Sequence, residues 1–296
     1  MRKRYYLSKA DACGLFGYTR QGYDKVQKIQ LERVRRDKEL LVAVESIRGL
    51  APGIGGYKLW VMSKRLFGDD RVPGRDSFYK FLNRNDLVLP SPKPRRTTNS
   101  NHRFHKYKNL IKDFFPDAPN KLWVSDITYI GLVDGCCYLH LVTDAYSHKI
   151  IGWYLADSLM AFFTMAALQE AIAQTGKDDL TGLIHHSDRG IQYCCDAYVE
   201  MLEEHHISIS MTEDYNPTDN AVAERVNGII KTELLYRTKR FASIAEARER
   251  IGKFIDFYNN QRPHMSIGMK TPAEVHRESG KQKKLWKNSW LKVKKE

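Results

Sequence analysis

Between residues 121 and 155 three short runs, 121–130, 136–143 and 149–155, are dense in Val, Ile, Tyr and Trp. Only turn residues separate them, Asp134-Gly135 and Tyr146-Ser147-His148. Runs of this composition read as strands, and connections this short join antiparallel neighbours. From residue 160 the pattern changes to a helical stretch at 160–174 and a short apolar strand at 183–186. A helix follows from Asp196 to about His205, then a strand at 207–211 and helices near 217–236 and 243–259. Three antiparallel strands continued by alternating helices and strands predict an α/β layer on a mixed sheet.

The residues before this block are helical in pattern. Ser8 is placed to cap a helix to about Leu15, and Thr19 to cap a second. In the second, Tyr23, Val26, Ile29, Val34, Leu41, Val44 and Ile47 recur near one helical face until Ala51-Pro52-Gly53 breaks it. Further helices are expected near 56–66 and 77–84. A short helix, a turn and a second helix in a basic context fit helix-turn-helix DNA binding, and they fit a small helical bundle equally well. Residues 90–104 contain Pro90, Pro92 and Pro94, which oppose a helix and mark a linker. The expected organisation is an all-α, helix-turn-helix-like DNA-binding region at 1–89, a basic linker at 90–108, a core at 109–275 and a basic tail at 276–296.

Net charge is +13, and its distribution is uneven. Residues 1–108 hold 25 Lys/Arg against 10 Asp/Glu, and residues 281–296 hold seven Lys against one Glu, so the stretch between them is acidic. Basic arms suit a polyanion, because each neutralised phosphate releases counterions. Lys93, Arg95, Arg96 and Arg103 are candidates for tracking a DNA backbone, as is the Lys-rich tail, which reads equally as a solvated end. No apolar run approaches the roughly 20 residues that span a bilayer. No apolar stretch follows the basic start as in a secretory signal. Five cysteines, four of them in adjacent pairs, suit neither a disulfide framework nor a zinc knuckle. A reduced, cytoplasmic compartment is expected, with no membrane partner.

Three carboxylates stand out. Asp126 lies in the apolar run Trp123-Val124-Ser125-Asp126-Ile127-Thr128-Tyr129, where a charge is costly to bury unless paired or metal-bound. Asp188 follows a short strand at Ser187-Asp188-Arg189-Gly190, a strand end where sites gather. Glu224 falls on a helix started by Asn216-Pro217, where Asn220, Glu224, Asn227 and Lys231 share one face while Ala223, Val226, Ile230 and Leu234 form another. Taken singly, each carboxylate also reads as an ordinary turn, loop or solvated helix residue. Converging, the three need a cation, and Mg²⁺ accepts a few carboxylate oxygens while keeping waters for a substrate. Two such ions, with Mn²⁺ a substitute, are expected on Asp126, Asp188 and Glu224, with Lys231, Asn220 and Asn227 toward DNA. The paired histidines His185, His186, His205 and His206 lack the Cys or His partners of a zinc set and read as packing.

Between Asp188 and Glu224 lie 35 residues. This spacing resembles the D,D-35-E pattern of retroviral integrases and of the bacterial insertion-sequence-3 family of transposases. The flanks resemble that family as well: the Asp126 strand, His186-Ser187-Asp188-Arg189-Gly190-Ile191-Gln192-Tyr193, and Asp219-Asn220-Ala221 with Glu224 and Lys231. Tyr258-Asn259-Asn260-Gln261-Arg262-Pro263-His264 with Thr271-Pro272-Ala273-Glu274 resembles its terminal signature, and Gly55-Gly56-Tyr57-Lys58-Leu59-Trp60 its helical DNA-binding segment. The resemblance implies an RNase H-like catalytic core and an Mg²⁺-dependent DDE transposase active in DNA recombination and integration. It also implies double-stranded DNA as partner, as element ends and target, and a homo-oligomer of at least two copies, nucleoid-associated. An upstream-frame transposition protein is a further expected partner, the chain then being the downstream product. A nuclease of the same fold without strand transfer, and a non-catalytic DNA-binding descendant, are the competing functions. His264 receives no chemical role from the sequence.

Overall fold

The computed structural model describes residues 7–90, 105–112, 114–213 and 220–282. In chain order it has four helices, α1 (Lys9–Leu15), α2 (Arg20–Leu50), α3 (Gly56–Phe67) and α4 (Arg75–Arg84). Strands β1 (Leu122–Gly131), β2 (Cys136–Asp144) and β3 (Ile150–Ala156) follow, then α5 (Ala161–Thr175), β4 (Ile184–Ser187), α6 (Ile191–Cys194), α7 (Asp196–Glu204) and β5 (Ser208–Met211). The last helices are α8 (Ala221–Glu233), α9 (Ile244–Asn260) and α10 (Pro272–Val275). The linker cations Lys93, Arg95, Arg96 and Arg103, the Asn216-Pro217 cap and the tail beyond Gln282 lie outside the described residues.

The chain divides into two compact units. One takes in residues through Ile47 together with Leu59–Val88, the other Arg48–Lys58 with the residues from Leu89 on. In the first unit Ser8 accepts the Asp11 amide and Thr19 the Gly22 amide, each satisfying a donor that a helix start leaves open. Its core is built from Leu40, Val44, Ile47, Leu59, Phe78, Phe81 and Leu82, the apolar faces of α2 to α4. The Trp60 indole donates to the Pro73 carbonyl at 2.9 Å, which holds the turn between α3 and α4.

In the second unit the strand order is β3-β2-β1-β4-β5. β1, β2 and β3 are antiparallel, and β4 and β5 run parallel to β1. That order and sense make an RNase H-like sheet. Trp123, Val142, Ile151 and Gly152 face α5 and α7, where the larger apolar core lies. Gly152 is required there: a Cβ would lie 2.1 Å from the Ala167 carbonyl oxygen of α5. Leu122 and Val124 face the other way, onto Ala223 of α8. α10 was not apparent as a helix in the sequence. It is four residues long and is held by a capping box in which Thr271 accepts the Glu274 amide and Glu274 accepts the Thr271 amide.

Candidate active site

The parallel pairing of β1 with β4 sets Leu122 against Ile184 and Val124 against His186. β4 ends at Ser187, so Asp188 opens the loop after it, close enough to Asp126 for its charge to act on that carboxyl. The Asp126 side chain points to the α8 face, where Asn227 lies. Asp126 accepts the Ile127 amide at 2.8 Å and the Asn227 side-chain amide at 2.6 Å. Asp188 accepts the Gly190 amide at 2.9 Å, in a turn so tight that a Cβ on Gly190 would meet Asp188 Oδ1.

Burial raises the Asp126 carboxyl to about 7, and the neighbouring Asp188 charge adds to the rise. The Ile127 amide, the Asn227 amide and the Lys231 ammonium oppose it without cancelling it. Asp126 is therefore short of positive charge. The Tyr193 hydroxyl, buried without a hydrogen-bond partner, feels both carboxylates, which with burial push it far above the ordinary phenol range. Beneath it, His185 Nε2 lies 2.7 Å from Ser125 Oγ and 3.0 Å from the Tyr198 hydroxyl. Burial holds that imidazole neutral, with a pKa of about 3. His186 Nδ1 lies 2.8 Å from Ser210 Oγ. These two histidines are core groups, as their lack of zinc partners suggested.

α8 lies across this face with Ala223, Val226 and Ile230 buried. Lys231 is near enough to Asp126 to lower its pKa. Asn220 and Asn227, read from the sequence as facing DNA, are instead buried. Asn220 donates to the Ser125 carbonyl at 3.2 Å and Asn227 to Asp126, because the amide stripe of α8 faces the sheet as well as the site. Glu224 is exposed. Burial raises its carboxyl above the ordinary value. Among the described residues no three His, Cys, Asp or Glu side chains converge into a set that could hold a metal ion. The structure thus brings Asp126, Asp188, Asn227 and Lys231 together and leaves Glu224 at the edge.

The residues present fit a divalent cation. The donors are carboxylate oxygens, the Asp188 charge adds to the proton affinity of Asp126, and the Oδ1 atoms of Asn220 and Asn227 are buried with no donor to satisfy them. Asp126 and Asp188 would hold such an ion, and Glu224 is one helical turn from Asn227, within reach of the same face.

The terminal signature also acquires a structure. Arg262 is 1% exposed and pairs two-pronged with Glu233 of α8, at 2.7 Å and 2.7 Å. Lys58 reaches Glu233 at 2.9 Å, and Arg262 donates to His264 at 2.9 Å. Neither Glu233 nor Lys58 was distinguishable in the sequence from a solvated helix charge. Only the length of the apolar stripe on α8 hinted that its far end is covered.

The family model described as integrase core domain matches residues 116–217, and a second integrase core domain model matches 205–272. The putative transposase for insertion sequence element IS986/IS6110 of Mycobacterium tuberculosis is 32% identical over 259 residues, covering 86% of this chain and 92% of that protein. The insertion element IS600 uncharacterized 31 kDa protein of Shigella sonnei is 33% identical over 267 residues, covering 88% and 96%. Among solved structures, the HTLV-2 integrase catalytic core domain in complex with magnesium aligns with a TM-score of 0.42 at 22% identity, over 54% of this chain and 98% of that one. The chain belongs to the insertion-sequence-3 family of transposases, enzymes with an integrase core domain that cut and join DNA strands with the help of a divalent metal.

Proposed function

We propose that Asp126, Asp188 and Glu224 form the metal platform of this transposase, and that two Mg²⁺ ions, or Mn²⁺ in their place, bind there. The observation that carries this is the proximity of Asp126, on β1, to Asp188, just past the end of the neighbouring parallel strand β4: burial and then the Asp188 charge raise the Asp126 carboxyl. When bound, the ions activate the attacking oxygen and stabilise the leaving one in phosphodiester exchange. Asn227 fixes the orientation of the Asp126 carboxylate through its 2.6 Å hydrogen bond. Lys231, two turns beyond Glu224 on α8, presents its ammonium to a DNA phosphate. Tyr193 and the His185 network below it exclude water from the underside of the pair. The same site serves cleavage at an element end and attack of the freed 3′-hydroxyl on target DNA.

In this reading the helical region 1–89 and the linker 90–108 grip DNA, the core 109–275 carries the chemistry and the tail 276–296 adds charge. Joining two element ends requires at least two copies of the chain. An upstream-frame protein is a further partner by family resemblance.

Glu224→Gln tests the platform. Mg²⁺-dependent cleavage and strand transfer on labelled element-end oligonucleotides should vanish while DNA binding stays. Retained cleavage would remove Glu224 from the site.

A further inference from the structure

α8 carries Glu224, Asn227 and Lys231 on one face, and Glu233 lies nine residues beyond Glu224. At about 100° and 1.5 Å per residue, Glu233 projects from the opposite face, roughly 14 Å along the axis. That rear face is held. Arg262 grips Glu233 with both prongs, and Lys58 adds a third contact at 2.9 Å. Arg262 itself is held by His264 at 2.9 Å and lies over the Tyr258 ring. The Gly53 amide donates to the Glu233 carbonyl at 2.8 Å. Gly53 packs so closely that a Cβ there would lie 2.1 Å from the Thr232 carbonyl oxygen. Glu233 is 5% exposed and Arg262 1%, so the pair lies away from solvent. An isolated ion pair this deep seldom adds net stability over apolar residues of the same volume, but a two-pronged guanidinium–carboxylate contact does fix geometry.

We propose that Arg262 and Glu233, backed by Lys58, His264 and Gly53, form a positioning clamp. It sets the axial rotation of α8 and so holds Glu224 and Asn227 at the Asp126–Asp188 pair. This rests on the reading of α8 as the carrier of the third carboxylate. It gives the Tyr258–His264 signature a role in metal binding without any of its residues touching metal or DNA. Burial and the Arg262 charge keep His264 well below its ordinary pKa, so its neutral ring accepts from Arg262. The contact therefore does not depend on pH in the neutral range.

The test uses the full chain. The double variant Glu233→Gln with Arg262→Met removes both charges at similar volume, and Gly53→Ala displaces the end of α8 by sterics alone. Three quantities are measured: Mg²⁺ affinity by calorimetry, backbone hydrogen exchange, and affinity for an element-end duplex without divalent metal. The clamp predicts Mg²⁺ affinity weakened by about tenfold or more, the size expected when the support of a metal ligand is lost. Exchange should quicken across Ala221–Glu233 and not in β1 or β4, with duplex affinity unchanged. A merely stabilising pair predicts faster exchange throughout the unit and unaltered Mg²⁺ affinity of the folded chain, and that result overturns the proposal. If the double variant does not melt cooperatively, Gly53→Ala decides alone. Glu224→Gln run alongside separates the two readings. If it binds Mg²⁺ like the parent, the platform fails. If it loses Mg²⁺ while both clamp variants keep it, only the clamp fails.

Discussion

Asn227 is the residue on which the candidate site turns. Its side-chain amide is buried at 4% exposure and donates to Asp126 Oδ2, while its Oδ1 has no protein donor. In the proposed platform it therefore supports Asp126 rather than meeting DNA. Asn227→Ala should weaken Mg²⁺ half-saturation of cleavage by about 10- to 100-fold, the usual effect of losing a hydrogen-bond partner of a metal ligand. Duplex binding should stay unchanged. The comparison is a metal titration of cleavage at saturating DNA, and an unshifted midpoint with lost duplex affinity would return Asn227 to the DNA surface.

At the level of elements, α8 is held from two sides, and the rear contact has a pH signature. Burial alone would raise the Glu233 carboxyl, but Arg262 and Lys58 outweigh it and hold it at about 2. Arg225 also faces this cluster. A carboxyl depressed from about 4.3 contributes stability that is fully present above pH 5 and is lost as pH falls toward 2, on the order of 3 kcal/mol. Glu233→Gln should therefore be less stable than the parent at pH 7, with the gap closing as pH falls from 5 to 2. A gap that stays constant across that range would show that the Glu233 charge contributes nothing. Nearly all of these elements were legible in the sequence, since the Val-, Ile-, Tyr- and Trp-rich runs at 121–155 with their turn residues, and the Ser8 and Thr19 caps, are local signals. Asp126 and Asp188 stood out as candidates too, because a carboxylate inside an apolar strand, or just past the end of one, is a local anomaly. The Glu233–Arg262–Lys58 cluster was not. Its members are 29 and 175 residues apart, and each looks like a solvated charge until the tertiary fold buries it. The inward turn of Asn220 and Asn227 was hidden for a related reason: a polar stripe on a helix reads the same whether it meets water or the carbonyl and half-buried carboxylate of a neighbouring strand.

Over the whole molecule, charge and chemistry are divided along the chain. The aspartate pair sits in the acidic stretch, and the cations concentrate before residue 109 and after residue 280. If grip and chemistry are separate, they respond to different variables. Replacing Lys93, Arg95, Arg96 and Arg103 together with Ala should make the slope of log affinity against log salt shallower by about three to four, since each lost phosphate contact removes about 0.9. The cleavage rate at saturating DNA and its Mg²⁺ midpoint should stay near the parent values, because none of the four lies among the residues assigned to the platform. Fluorescence anisotropy of an element-end duplex across a salt series gives the slope, and single-turnover cleavage gives the rate. An unchanged slope would take the linker off the DNA backbone. A shifted Mg²⁺ midpoint at an unchanged slope would mean instead that the linker acts on the metal platform, which would end the division between arms that hold DNA and a core that cuts it.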